Sequence, residues 1–210
     1  MTLRAVVFDY GMVLTGKPDA RAHDEMVRIT GLPVEEFERL YWADRHAYDE
    51  GKLTGMAFWE KLLRDAELDL PETAVSELNA WDARMWTTEN PAMVAWQVRL
   101  KERGLKTAIL SNMGDSVLES ILKTYAWISN FDVLVWSYQL RMAKPFPAIY
   151  QHTLAQLEVD AGQTLFVDDR LENVEAARAL GMQAVQFSTV ERLRHDLIAA
   201  GFDRDLPLPE

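Results

Sequence analysis

From residue 91 onward, short apolar runs alternate with stretches of helical periodicity, and that alternation fixes the fold class. The runs 106–111, 132–137, 164–168 and 183–187 read as strands. Asn90-Pro91 reads as an N-cap with a first-turn proline, and Gly104 as the stop of the helix they open. A second helix is expected over about 115–126, with Val117, Leu118, Ile121, Leu122 and Tyr125 on one face. A third spans about 147–157, and a fourth about 171–180, with Val174, Ala177 and Leu180 inward and Gly181 as its stop. Strands alternating with helices imply an α/β fold whose parallel sheet is joined by right-handed crossovers.

One more strand candidate, 4–9, stands apart from the others. Its apolar run Arg4-Ala5-Val6-Val7-Phe8 ends on Asp9, and Tyr10-Gly11-Met12-Val13-Leu14-Thr15-Gly16 follows as a glycine-containing turn. Residues from about 17 to 88 are helical throughout. Val34, Phe37, Leu40 and Tyr41 mark one helix there. Phe58, Trp59, Leu62, Leu63 and Ala66 mark another, entered at Thr54, and Val75, Leu78, Trp81 and Met85 a third. The expected division is therefore a core of 1–16 and 89–210 that carries the site, and a helical insert over 17–88. The insert holds Trp42, Trp59, Trp81 and Trp86, four of the seven tryptophans, enough bulk for a small core of its own, with one or two left to face the sheet. The tail 202–210 is acidic and proline-rich and reads as loosely ordered.

Composition removes several function classes. The net charge of −11 repels nucleic acid and anionic membrane, and an anionic substrate would need a local cation to bind. There is no cysteine, which excludes disulfides, thiolate catalysis and cysteine-held zinc. The four histidines show no His-x-x-x-His pairing. No apolar run approaches the roughly 20 residues of a membrane span, and Asp9 interrupts any signal-peptide core. The expected compartment is the cytoplasm, and the expected partner a small molecule.

The chemistry sits where strands end. In an open α/β sheet, ligands bind at the carboxyl ends of the strands. If strands 4–9, 106–111 and 164–168 are neighbours, Asp9, Ser111 and Asp168-Asp169 converge at one sheet edge. Three carboxylates together repel one another unless a cation lies among them, and hard oxygen donors suit Mg²⁺. Lys144 adds a second positive charge, and Ser111-Asn112 adds donors. Carboxylates, metal, lysine and donors describe a phosphate site with an aspartate nucleophile. Each element alone has a simpler explanation: a loop lysine, a helix cap, a carboxylate pair favoured by a helix dipole. Their joint occurrence, in this order and at strand ends, outweighs those explanations.

The chain resembles the haloacid dehalogenase-like (HAD) hydrolases of the branch with a helical cap after the first motif. Val6-Val7-Phe8-Asp9-Tyr10-Gly11 is similar to the family's first motif and Leu110-Ser111-Asn112 to its second. Lys144-Pro145-Phe146-Pro147-Ala148-Ile149-Tyr150 resembles the third, and Phe166-Val167-Asp168-Asp169 with Glu172-Asn173-Val174-Glu175-Ala176-Ala177 through Gly181 the fourth. The resemblance implies a Rossmann-like parallel sheet with helices on both faces, the insert serving as cap. It implies Asp9 as nucleophile and metal ligand, the Gly11 carbonyl as a second ligand, and Asp169 with Asp168 completing a Mg²⁺ site. It implies further that Ser111 and Asn112 hold the phosphate and that Lys144 orients both phosphate and Asp9.

One position departs from that pattern. Family phosphatases carry a second aspartate two residues after the nucleophile, as general acid and base, and here that residue is Gly11. Three consequences are open: substrates with good leaving groups, a proton donor in the cap (Asp44, His46 or Tyr48), or vestigial activity. The expected function is a Mg²⁺-dependent phosphatase of a small phosphorylated metabolite, such as a sugar phosphate, and two rival functions share the scaffold. A metal-independent 2-haloacid dehalogenase also uses an aspartate nucleophile but has no use for Asp168-Asp169. A catalytically silent binding protein has no use for Asp9 and Lys144.

Overall fold

The computed structural model describes residues 2–210. Strands β1 (Ala5–Phe8), β2 (Lys106–Ser111), β3 (Val133–Trp136), β4 (Thr164–Asp168) and β5 (Gln183–Gln186) form one sheet in the order β3-β2-β1-β4-β5, every pairing parallel. β1 lies at the centre, where the order reverses. Its side chains alternate between two cores, as the strand period of two requires. Val6 and Phe8 join one with α6 (Pro91–Glu102), α7 (Asp115–Thr124) and α11 (Val190–Ala199). Ala5 and Val7 join the other with α8 (Ser137–Leu140), α9 (Pro147–Leu157) and α10 (Leu171–Ala179). The sheet is thus covered on both faces.

Helices α1 (Ala20–Thr30), α2 (Val34–Ala43), α3 (Arg45–Asp49), α4 (Gly55–Asp65) and α5 (Glu72–Met85) lie between β1 and α6. They gather around a separate core that includes Phe37, Tyr41, Phe58 and Trp59. Thr54 caps α4 by accepting from the Ala57 N–H at 3.2 Å. The two chain crossings lie side by side: Thr15 bridges Glu89, and the Gly16 N–H donates to the Thr88 carbonyl at 2.7 Å. No helix among the described residues is long and apolar enough to cross a membrane.

Several sequence expectations change. Val34 and Leu122, placed inward by periodicity, are exposed, because each sits at the edge of its helix's apolar stripe. Asn90 occupies the N-cap position of α6 without capping it. Its side chain donates instead to the Val13 carbonyl at 3.0 Å and ties the helix to the turn after β1. The acidic tail is packed, not loose. Leu206 is buried, and the Pro207 and Leu208 carbonyls accept from Trp96 Nε1 (2.5 Å) and Arg99 Nη2 (2.8 Å). The leucines between its prolines supply apolar contact that a reading by charge and proline content passes over.

Candidate active site

Asp9 follows β1 directly and is held at the sheet edge by its backbone N–H, which donates to the Val167 carbonyl at 2.9 Å. The chain then makes a wide turn over Tyr10–Leu14, closed by the Thr15 N–H donating to the Tyr10 carbonyl. Within it Met12 adopts φ 59°, a left-handed conformation that costs a side-chain-bearing residue roughly 1–2 kcal/mol. Its N–H is met by Thr15 Oγ1 at 3.0 Å, so the turn is fixed by specific bonds. Gly11, by contrast, has φ −62°, and a Cβ there would touch only the Trp86 ring, at 3.9 Å. Neither backbone nor packing demands glycine at that position.

Lys144 is buried between two carboxylates. Its Nζ lies 2.8 Å from Asp9 Oδ1 and 2.6 Å from Asp168 Oδ2. Asp168 is held in turn by the Arg170 N–H (2.9 Å) and Asn173 Nδ2 (3.0 Å), both accepted at Oδ1. Burial alone would lower the Lys144 pKa, but Asp168 and Asp9 outweigh it and the ammonium is stabilised. Burial raises the Asp9 carboxyl to about 7; Lys144 opposes that rise and Asp168 adds to it. Asp169 is also raised, by burial and then by Asp168.

Asp9, Asp168 and Asp169 each offer a carboxylate oxygen, and these oxygens lie within 4.8 Å of one another. One lysine shared by two of these three acids leaves net negative charge at a buried point. Hard oxygen donors at that spacing fit Mg²⁺. Asp9, Asp169 and Lys144 line a cavity of about 520 Å³, with Gly11, Ser111 and Asn112 in the same wall, and Asp168 lies wholly buried behind Lys144. Asn112 does something the sequence did not foretell: its Oδ1 accepts from the Lys144 N–H (2.8 Å) and its Nδ2 donates to the Lys144 carbonyl (2.9 Å). Both side-chain groups are thereby spent on fixing the lysine backbone.

The opposite wall comes from the insert: Trp42, Arg45, His46, Asp49 and Trp86. Trp59 is wholly inside the insert's core, and Trp81 packs against Arg21 and Arg84. Of the three acid candidates in the insert, only His46 reaches the cavity. Asp44 pairs with Lys61 at 2.6 Å. Tyr48 is buried against Gly114, where a Cβ would lie 2.0 Å from its ring. The insert is docked on the core at three further points. The Gly55 N–H donates to Asp115 Oδ1 at 2.8 Å, Ser137 Oγ donates to the Asp49 carbonyl, and Gly51 packs on the Tyr138 backbone. Arg45 and Asp49 are cavity residues the sequence reading missed. Their signal was a pair of opposite charges four residues apart, Arg45 beside the buried aromatics Tyr41 and Tyr48.

The family model for haloacid dehalogenase-like hydrolases matches residues 3–181. A phosphatase of Mycobacterium tuberculosis is 35% identical over 190 residues, covering 88% of this chain and 87% of the relative. An (S)-2-haloacid dehalogenase of a Pseudomonas species is 25% identical over 90% of this chain and 86% of its own. A HAD family enzyme from Bacteroides thetaiotaomicron, solved in complex with magnesium and inorganic phosphate, shares the fold. Its TM-score is 0.75 at 21% identity, over 89% of this chain and 94% of its own.

Proposed function

The chain belongs to the haloacid dehalogenase-like hydrolases, and on that premise we propose that it is a Mg²⁺-dependent phosphatase of a small phosphorylated metabolite, acting through an aspartyl-phosphate on Asp9. The observation that carries this reading is the triad Asp9, Asp168 and Asp169 around Lys144. A dehalogenase attacks carbon and gains nothing from the acidic pair Asp168-Asp169 at the end of β4. The 35% identity to a phosphatase over most of both chains supports the same side.

In this reading Asp9, Asp168, Asp169 and the Gly11 carbonyl would hold Mg²⁺, which would supply positive charge to neutralise the phosphate. Asp9 attacks through a carboxylate oxygen. Lys144 steadies that carboxylate and the incoming phosphate, and Asn112 keeps Lys144 in register through its backbone. Ser111 faces the phosphate from the end of β2. Trp42 and Trp86 give the leaving group an apolar wall.

The purified protein is expected to release phosphate from an activated aryl phosphate only with Mg²⁺, and to lose that activity on chelation. Activity that survives chelation, or chloride release from 2-chloropropionate, would hand the site to the dehalogenase reading.

The insert acts as the cap, closing over bound substrate and excluding water. Gly114 gives a direct test. Its φ of −79° suits alanine, so the substitution acts through packing, first of all against the Tyr48 side chain. Gly114→Ala is expected to push α3 off the core and lower kcat/KM on the order of 10²-fold, the scale of an ångström-sized misplacement. Unchanged kinetics would show that the docked position of the insert does not matter to turnover.

A further inference from the structure

The core supplies a nucleophile and a phosphate cradle but no acid for the departing oxygen. Lys144 is committed to two carboxylates, and Gly11 carries no side chain. The leaving group must point away from Asp9, toward the insert wall, because attack and departure lie in line.

Asp49, the last residue of α3, stands in that wall. Its place is fixed from two sides. Its Oδ1 accepts from Arg45 Nε at 3.1 Å, and its backbone carbonyl accepts from Ser137 Oγ. The same Ser137 Oγ accepts from the Met113 N–H at 2.9 Å, two residues beyond Ser111. Asp49 is thus tied through one hydroxyl to the loop that carries Ser111. Arg45 does not fully neutralise it, because its Nη1 is given to Asp82 at 2.8 and 3.0 Å. Asp82 is wholly buried and has first claim on that charge.

Burial, partly opposed by Arg45, raises the Asp49 carboxyl to about 6, and Asp82 pushes the same way. An anionic phosphate ester entering the cavity raises it further. Besides Arg45 and Asp82, His46 acts on Asp49; Tyr41 and Tyr48 flank Arg45, and Arg170 and Glu172 line the same cavity. His46 is the competing donor. Its side chain is 57% exposed at the cavity mouth, leaning on the Phe146 ring and 3.7 Å from Glu50, without the double anchoring of Asp49.

We propose that Asp49 replaces the acid absent at Gly11: it protonates the leaving oxygen and then takes the proton of the hydrolytic water. This assignment rests on the phosphatase reading above. In the first step a bond forms between an Asp9 carboxylate oxygen and phosphorus as the ester P–O bond breaks. The electron pair left on the ester oxygen accepts the Asp49 proton, giving the alcohol and an Asp49 carboxylate. In the second step water attacks the phosphorus of the aspartyl-phosphate, its proton passes to Asp49, and the bond to Asp9 breaks. Inorganic phosphate leaves, and both carboxyl groups return to their starting states.

The test is kcat/KM along a series of phosphate esters running from nitrophenyl through phenyl to simple alkyl leaving groups. This parameter stops at the first irreversible step, so slow hydrolysis of the intermediate does not mask it. Asp49→Asn keeps an oxygen for Arg45 Nε. It is expected to cost ~10²–10⁴-fold on alkyl phosphates and little on nitrophenyl phosphate, since only a poor leaving group needs the proton. A loss equal along the series, or no loss, would make Asp49 a structural residue and overturn the assignment. A loss that grows with leaving-group pKa in His46→Gln instead would give the role to His46. The wild-type enzyme adds a measurement that needs no variant. The ratio of alkyl to nitrophenyl kcat/KM should fall as pH rises through the Asp49 titration, effects common to both substrates cancelling. A ratio flat with pH would also overturn the assignment. Wild-type protein inert on every ester with Mg²⁺ present would instead defeat the phosphatase reading itself, a result distinct from all of these.

Discussion

Replacing Asp9 by asparagine is expected to abolish phosphate release while leaving the fold and substrate binding in place. The amide cannot form the acyl-phosphate, so the reaction loses its covalent route and not just one stabilising contact. The expected fall in kcat is about 10⁶-fold, the scale of a lost nucleophile. The fold should survive because the amide brings no charge to the pocket. Lys144 keeps its 2.6 Å partner in Asp168, and the backbone bond from residue 9 to Val167 does not involve the side chain. Steady-state turnover, with calorimetric binding of a phosphate ester, separates the two effects. Near wild-type turnover would remove Asp9 from the nucleophile's role.

The sheet was legible because its strands are short apolar runs that end on polar residues. Val6-Val7-Phe8 stops at Asp9, Ala108-Ile109-Leu110 at Ser111 and Leu165-Phe166-Val167 at Asp168, and all three runs are neighbours in the sheet. A strand end is a local event in sequence, and the parallel register carries it to one edge in space. Lys144 was legible by motif alone, since nothing local says that a lysine before a proline turns inward to bridge Asp9 and Asp168.

What the sequence hid depends on contacts between distant segments. Asn112 looks like a polar residue beside a phosphate ligand; only the fold shows it spent on the Lys144 backbone, 32 residues away. Asp49 looks like one acid among many in an acidic insert. Its difference from Asp44 comes from Asp82, which competes for Arg45, and from Ser137, which holds its carbonyl. The glycines at 51, 55 and 114 each mark a place where insert and core approach too closely for a Cβ. Such close approaches leave no periodicity to read.

Removing Lys144 is expected to damage both chemistry and stability, and to couple stability to Mg²⁺. The Nζ lies between Asp9 and Asp168 with 1% of its side chain exposed, so Lys144→Ala leaves two carboxylates facing each other without the ammonium. Breaking a buried pair from one side costs about 3–5 kcal/mol, because the remaining charge stays desolvated. In a chain of this length that lowers the thermal midpoint on the order of 10 °C without metal. Asp168 keeps its bonds from the Arg170 N–H and Asn173, which limits the damage. Mg²⁺ binding to the folded state should then recover more stability in the variant than in the wild type, since the ion meets an acidic cluster that no ammonium offsets. Activity should not recover with it. A fixed cation near the transferring phosphoryl group is worth about 10²–10³ in rate. Thermal melts across a Mg²⁺ titration, beside kcat/KM for an aryl phosphate, measure the two separately. A melting curve equal to wild type without metal would show that Asp9 and Asp168 do not need the lysine charge. Full activity in the variant would show that the phosphate does not need it either.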